Sequence, residues 1–118
     1  MGPLISATQR DRVAGFVDRA RAAAEIATGG AAGQGGGFFY SPTVVANVDN
    51  AAEIATEEVF GPVVTIHVYP DEKWDETLKL IDSTSPYALT GCVFANDRQA
   101  VVFAHAHVRP KPNVRLFA

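Results

Sequence analysis

Glu57-Glu58-Val59-Phe60-Gly61-Pro62-Val63-Val64-Thr65-Ile66-His67-Val68-Tyr69 joins a polar turn to a β-branched run. Two carboxylates and an aromatic stand at a Gly-Pro break, and the residues from Val63 to Tyr69 are strand formers almost throughout. A run so apolar predicts a strand buried on both faces, hence a parallel sheet. Pro70 ends it. Asp71 to Asp82 then reads as a helix. Asp71, Glu72 and Asp75 complement the positive end of its dipole, and Trp74, Leu78 and Ile81 recur at i, i+4 and i+7 to face the sheet. Ser83-Thr84-Ser85-Pro86 is a loop. Leu89 to Ala95, carrying Cys92, predicts a second buried strand, and Asn96-Asp97 caps a further helix from Arg98 to about His107. The order strand, helix, strand, helix implies right-handed crossovers and an α/β fold, a mostly parallel sheet with flanking helices.

Upstream, Ser6 with Gln9 three residues later is a capping-box pattern, in which the hydroxyl takes an orphan N–H and the amide reaches back. Val13, Phe16, Val17 and Ala20 give one apolar helix face, while Arg10, Arg12, Asp18, Arg19 and Arg21 fall mostly on solvated faces. Gly29 and Gly30 are expected to stop this helix, because glycine accepts the left-handed cap conformation. The patch Gly29-Gly30-Ala31-Ala32-Gly33-Gln34-Gly35-Gly36-Gly37 reads as a surface loop. A phosphate cradle would need a strand before it and a helix opening with Lys-Ser/Thr after it, and neither is predicted. Phe38-Phe39-Tyr40 is a short extended segment, Thr43 to Val48 a second short strand, and Asp49 to Thr56 a helical turn.

Composition narrows the function classes. The 118 residues fit one domain, with 47% apolar and 19% charged side chains, which argues against disorder. Net charge is −3 without a basic stripe, so no nucleic-acid partner is expected. No apolar run approaches the roughly 18 residues of a membrane span, and the N-terminus lacks the charged start and apolar stretch of a signal peptide. Cys92, the single cysteine, rules out an internal disulfide and suits a reducing, cytoplasmic compartment.

The residues themselves offer little chemistry. Inside an apolar strand, Cys92 is expected to be a buried, inert thiol. His67 is expected on a strand, and His105 and His107, at i, i+2 on a helix, on different faces; no Cys or carboxylate completes a metal set, so no metal is expected. No Ser-His-Asp set is recognisable. By composition alone Glu57 and Glu58 are a solvated turn and Phe60 a core residue.

The ordered blocks change that reading, because they resemble the aldehyde dehydrogenase superfamily. Met1-Gly2-Pro3-Leu4-Ile5-Ser6 with Gln9 and Val13 resembles the opening of a helix in the family's catalytic domain. Thr28-Gly29-Gly30 followed by Gly37-Phe38-Phe39-Tyr40-Ser41-Pro42-Thr43-Val44 resembles the next stretch. Glu57-Glu58-Val59-Phe60-Gly61-Pro62 is the most specific block, and Tyr87-Ala88-Leu89-Thr90-Gly91 with Val93-Phe94 resembles a later strand. The wording of Val68 to Trp74 and of Ile81 to Gly91 is similar to the 1-pyrroline-5-carboxylate (glutamate-semialdehyde) dehydrogenase branch.

The resemblance implies that residues 1–107 are part of a catalytic domain. It implies NAD or NADP as cofactor, and a small-molecule aldehyde, glutamate γ-semialdehyde, oxidised to glutamate in proline catabolism. Glu58 matches the glutamate that holds the vicinal ribose hydroxyls beside the nicotinamide, and Phe60 the aromatic beside that ring. Cys92 does not match the family nucleophile. That cysteine, the dinucleotide-binding domain, a general-base glutamate and an oxyanion-holding asparagine belong upstream of the matching segment, so no turnover is expected from these residues alone. Residues 108–118 depart abruptly from the family pattern, as a shifted reading frame or truncated gene would produce, and are expected to form a frayed or extended tail. The implied compartment is the cytoplasm, or the mitochondrial matrix in a eukaryote. The alternatives are a non-catalytic orphan fragment or interaction module, associating with itself or with a full-length relative, and a fragment of an aldehyde dehydrogenase with another substrate.

Overall fold

The structure, a computed structural model, describes residues 1–87, 90–108 and 115–117 of the 118. The chain divides into two compact units, Met1–Val68 and Tyr69–Ala118.

The first unit is helix α1 (Ala7–Ala20), strands β1 (Glu25–Thr28) and β2 (Thr43–Ala46), the single turn α2 (Glu53–Thr56) and strand β3 (Val63–Thr65). The sheet order is β1-β2-β3. β1 runs antiparallel to β2, with Ile26 opposite Val45, and β2 runs parallel to β3, with Val44 opposite Val64. One face of α1 forms the core: Val13, Phe16 and Val17 pack with Tyr40, Val45 and Ile54. The predicted spacing of the apolar positions therefore identifies the buried face. Burying side chains of this kind stabilises a fold by about 1.5–3 kcal/mol each. Tyr40 shares the core, and burial, reinforced by the charge of Asp18, pushes its phenol up from the usual tyrosine range.

Three expectations for this unit are corrected. First, α1 does not run to the glycines. It ends at Ala20, whose carbonyl takes N–H groups from both Ala23 and Ala24, and the chain re-emerges as β1. Alanine-rich residues favour helix, but pairing Ile26 with Val45 completes the sheet and overrides that propensity. Second, Gly29 and Gly30 therefore end a strand, with φ of 73° and 77°. A strand does precede the glycine patch, but no helix follows, and the chain folds back so that Ala32 bridges Tyr40. Third, β3 is not buried on both faces: Val64 is 52% exposed, and beyond the strand Val68 is 85% exposed. β3 is an edge of the described sheet, covered along one side only by β2.

The glycine pair docks on the corner before β2. Gly30 N–H donates to Thr43 Oγ1 (2.8 Å), and that hydroxyl donates to the Ser41 carbonyl (2.8 Å). The Arg21 guanidinium donates to the Gly30 carbonyl. A Cβ at Gly29 would stand 2.1 Å from the Pro42 carbonyl oxygen.

The second unit begins with a 3-10 turn (Asp71–Lys73) leading into α3 (Trp74–Thr84), followed by β4 (Thr90–Cys92), α4 (Arg98–His107) and β5 (Arg115–Phe117). Asp97 caps α4 by accepting from Gln99 N–H (2.8 Å), as the sequence predicts. On α3 the buried pair is Thr77 and Leu78, whereas Ile81 is 56% exposed, so the apolar stripe is narrower than its spacing predicts. The predicted strand from Leu89 to Ala95 contracts to β4; Leu89 itself lies outside the described residues. The sequence assigns no paired strand to residues 108–118, yet β5 pairs in parallel with β4, Gly91 opposite Leu116. With β2/β3 and β4/β5 parallel and β1/β2 antiparallel, the fold is α/β with mixed pairing.

Gly29→Ala should lower the urea-denaturation stability by about 3 kcal/mol, since strain at positive φ adds to the clash with Pro42. Gly36→Ala, which meets open space, should change it by no more than about 0.5 kcal/mol.

Candidate functional site

The residues from Glu53 to Pro62 are laid along α1. At one end, Arg19 meets Glu53 in a two-pronged ion pair, with Nε 2.7 Å from Oε2 and Nη2 3.1 Å from Oε1. The hydrogen bond from Arg19 holds the Glu53 carboxyl below the usual carboxylate range, and the same bond raises the Arg19 pKa. At the other end, the Gln9 amide donates to the carbonyls of Val59 (3.2 Å) and Phe60 (2.9 Å). One helical turn on, Arg12 donates to the carbonyls of Val59 (2.7 Å) and Glu58 (3.1 Å). Val59, half-buried, packs against the core, and Gly61 lies so close to α1 that a Cβ there would be 2.5 Å from Val13 Cγ2.

Between those two half-buried points Phe60 turns the chain. Its φ is 54°, a left-handed value for a bulky residue, and the residue is 72% exposed. Glu58 is exposed too, and among the described residues its carboxylate has no hydrogen-bonding or ionic partner. Phe60 is therefore not the core residue that composition suggests. The arrangement is a solvent-facing carboxylate two residues from a solvent-facing ring, on a backbone tied down from behind.

The other candidates lie elsewhere. Cys92 is on a strand as predicted, but it is exposed, which corrects the expectation of a buried thiol. It is the end residue of the short strand β4, and that strand does not enclose it. His67 lies just beyond β3 and is exposed, so the strand expected there stops short of it. His105 and His107 are both on α4. The His107 ring stacks on Phe103 with centroids 3.8 Å apart, and its Nδ1 lies 2.8 Å from the Phe103 carbonyl oxygen. Among the described residues no group of three or more His, Cys, Asp or Glu could hold a metal ion.

The model of the aldehyde dehydrogenase family matches residues 1–109. The chain belongs to the aldehyde dehydrogenase family. A mitochondrial delta-1-pyrroline-5-carboxylate dehydrogenase of Dictyostelium discoideum is 42% identical over 101 residues, covering 84% of this chain and 18% of that protein. The Homo sapiens protein of the same name is 40% identical over 100 residues, covering 83% and 18%. Among solved structures, 1-pyrroline-5-carboxylate dehydrogenase from Thermus with bound NAD superposes with a TM-score of 0.86 at 31% identity, over 98% of this chain and 22% of that one. An aldehyde dehydrogenase of Mycobacterium tuberculosis complexed with NAD+ gives a TM-score of 0.86 at 35% identity, over 100% and 25%. This aldehyde dehydrogenase segment thus spans about a fifth of the length of those relatives.

Two side chains that hold the turn escape sequence reasoning. Ser6 caps α1, its Oγ accepting from the Gln9 N–H (3.1 Å), but the Gln9 side chain goes to the turn at residues 59 and 60 and does not close a capping box. Arg12, assigned by spacing to a solvated face, reaches the same turn while lying over the Phe16 ring at 4.9 Å. Nothing in a helical repeat signals a partner some fifty positions away.

The depressed Glu53 carboxyl gives a test of sign. Its ion pair contributes stability above the unfolded-state pKa, and loses it as pH falls through the lower folded-state value. Because both partners are largely exposed, the stability effect should be small. A carbon-detected NMR titration should find Glu53 titrating below an ordinary glutamate, and Arg19→Gln should return it to the ordinary range.

Proposed function

We propose that this chain supplies the nicotinamide-end wall of the cofactor site in an NAD-dependent aldehyde dehydrogenase that oxidises L-glutamate γ-semialdehyde to glutamate in proline catabolism. One observation carries the site: Glu58 and Phe60, two residues apart, are both exposed on a turn whose backbone is held by α1. The two oxygens of the Glu58 carboxylate suit two neighbouring ribose hydroxyls as donors. The exposed ring of Phe60 suits apolar contact with a nicotinamide, limiting where that ring lies. The residues present therefore fit the nicotinamide end of a dinucleotide, NAD or NADP. When bound, that group supplies the hydride acceptor. The relatives bearing the pyrroline-carboxylate dehydrogenase name support the substrate and a mitochondrial matrix or cytoplasmic setting; NAD in the Thermus structure supports the cofactor. On this reading residues 1–107 are part of the catalytic domain and 108–118 diverge from it.

The same reading assigns no catalytic residue here. The family chemistry needs a cysteine thiolate to attack the aldehyde, and Cys92, on β4, is the only cysteine in these 118 residues. The purified chain alone should give no NADH from glutamate semialdehyde above a buffer blank in an absorbance assay. A second reading, a non-catalytic module that associates with itself or a full-length relative, is favoured by one feature: Val64, Ile66 and Val68 are exposed at alternate positions.

An NMR titration with NAD tests the site. Weak, saturable shifts at the Glu58 and Phe60 amides are expected, and Glu58→Gln should reduce them while leaving the fold intact. Shifts confined to other surfaces would reject the assignment.

A further inference from the structure

We propose that Gln9 and Arg12 are positioning residues: together they hold Phe60 in its left-handed backbone conformation, and so set the geometry of the turn. That the turn serves a dinucleotide rests on the function proposed above; the clamp itself rests on geometry alone.

Three consecutive carbonyls, those of Glu58, Val59 and Phe60, accept hydrogen bonds from two side chains three residues apart on α1. Residues so spaced stand one above the other on a helix, so the two donors form a single row. Such a row fixes the peptide planes it grips. Phe60 needs this. A bulky residue with a φ of 54° is in a sparsely populated region, which persists only where the surroundings over-determine it. Two contacts fix where the chain must pass: Val59 packs with the core, and Gly61 presses on Val13. They leave Phe60 to make the turn with its ring outward, and the carbonyl bonds offset the cost of that conformation.

The choice of donors is consistent with this role. Arginine presents a rigid fork that spans two carbonyls, whereas a lysine ammonium is a point donor. Stacking over Phe16 restricts the Arg12 guanidinium before it meets the turn. Arg19 lies 5.0 Å from the centroid of the same ring and grips Glu53, so α1 holds this segment at both ends.

The experiment is solution NMR on the labelled chain. One-bond Cα–Hα and three-bond HN–Hα couplings at residue 60 distinguish positive from negative φ. The unmodified chain should show positive φ at Phe60. Gln9→Leu combined with Arg12→Met should move the main population to negative φ, and should weaken NAD-induced shifts at Glu58 about tenfold if those shifts are seen. Arg12→Lys should restore part of the effect. Positive φ retained in the double variant would overturn the proposal.

Should the double variant not fold, the single Arg12→Met substitution is compared in the wild-type and Phe60→Gly backgrounds by urea denaturation. Glycine takes positive φ without penalty and has no strain to relieve, whereas relaxation of Phe60 to negative φ offsets part of the loss in the wild-type background; Arg12→Met should therefore destabilise the Phe60→Gly background more, and an equal loss in both would overturn the clamp. If the unmodified chain shows no NAD shifts, the dinucleotide assignment fails, and the couplings at residue 60 still decide the clamp.

Discussion

The contact between Val13 and the backbone at Gly61 is the constraint on which the first unit depends. With no side chain at residue 61, the chain can run against α1 closely enough for Val59 to enter the core on one side and β3 to begin on the other. The Thr43 N–H donates to the Pro62 carbonyl (2.8 Å) directly after this contact, which starts the parallel pairing of β2 with β3. A side chain at residue 61 would push the turn from the helix, and the hydrogen bonds from Gln9 and Arg12 would lengthen with it.

Two kinds of interaction act on α1, and they do different work. Burial of Val13, Phe16 and Val17 supplies the stability, on the order of 1.5–3 kcal/mol for each fully buried side chain. The polar contacts of Gln9, Arg12 and Arg19 lie mostly at the surface, where water competes for them. Their effect is directional. They select one conformation for residues 53 to 60 from those that burial alone would tolerate.

Membership of the aldehyde dehydrogenase family gives this geometry a context. The helix, the glycine pair, the aromatic segment and the Glu-Glu-Val-Phe-Gly-Pro turn are separate blocks in the sequence, and in the structure they form one unit. α1 is the common support: it packs on the sheet, its C-cap residue Arg21 reaches the Gly30 carbonyl, and it grips the turn. The exposure of Glu58 and Phe60 follows from how their neighbours are buried.

The sequence by itself determined the α/β class, the buried face of α1 and the Asp97 cap, and it nominated Glu58 and Phe60 as candidate site residues. These depend on signals that are local or are carried by ordered motifs: periodicity, capping residues and a Gly-Pro turn. Tertiary structure decided where α1 stops, because pairing Ile26 with Val45 involves a strand that local propensity does not register. It left Val64 on β3 and Cys92 exposed, because burial depends on what lies across a strand, which a single run of residues does not record. It also gave Gln9 and Arg12 their partners, since a hydrogen bond between residues about fifty positions apart exists only after the core has brought them together.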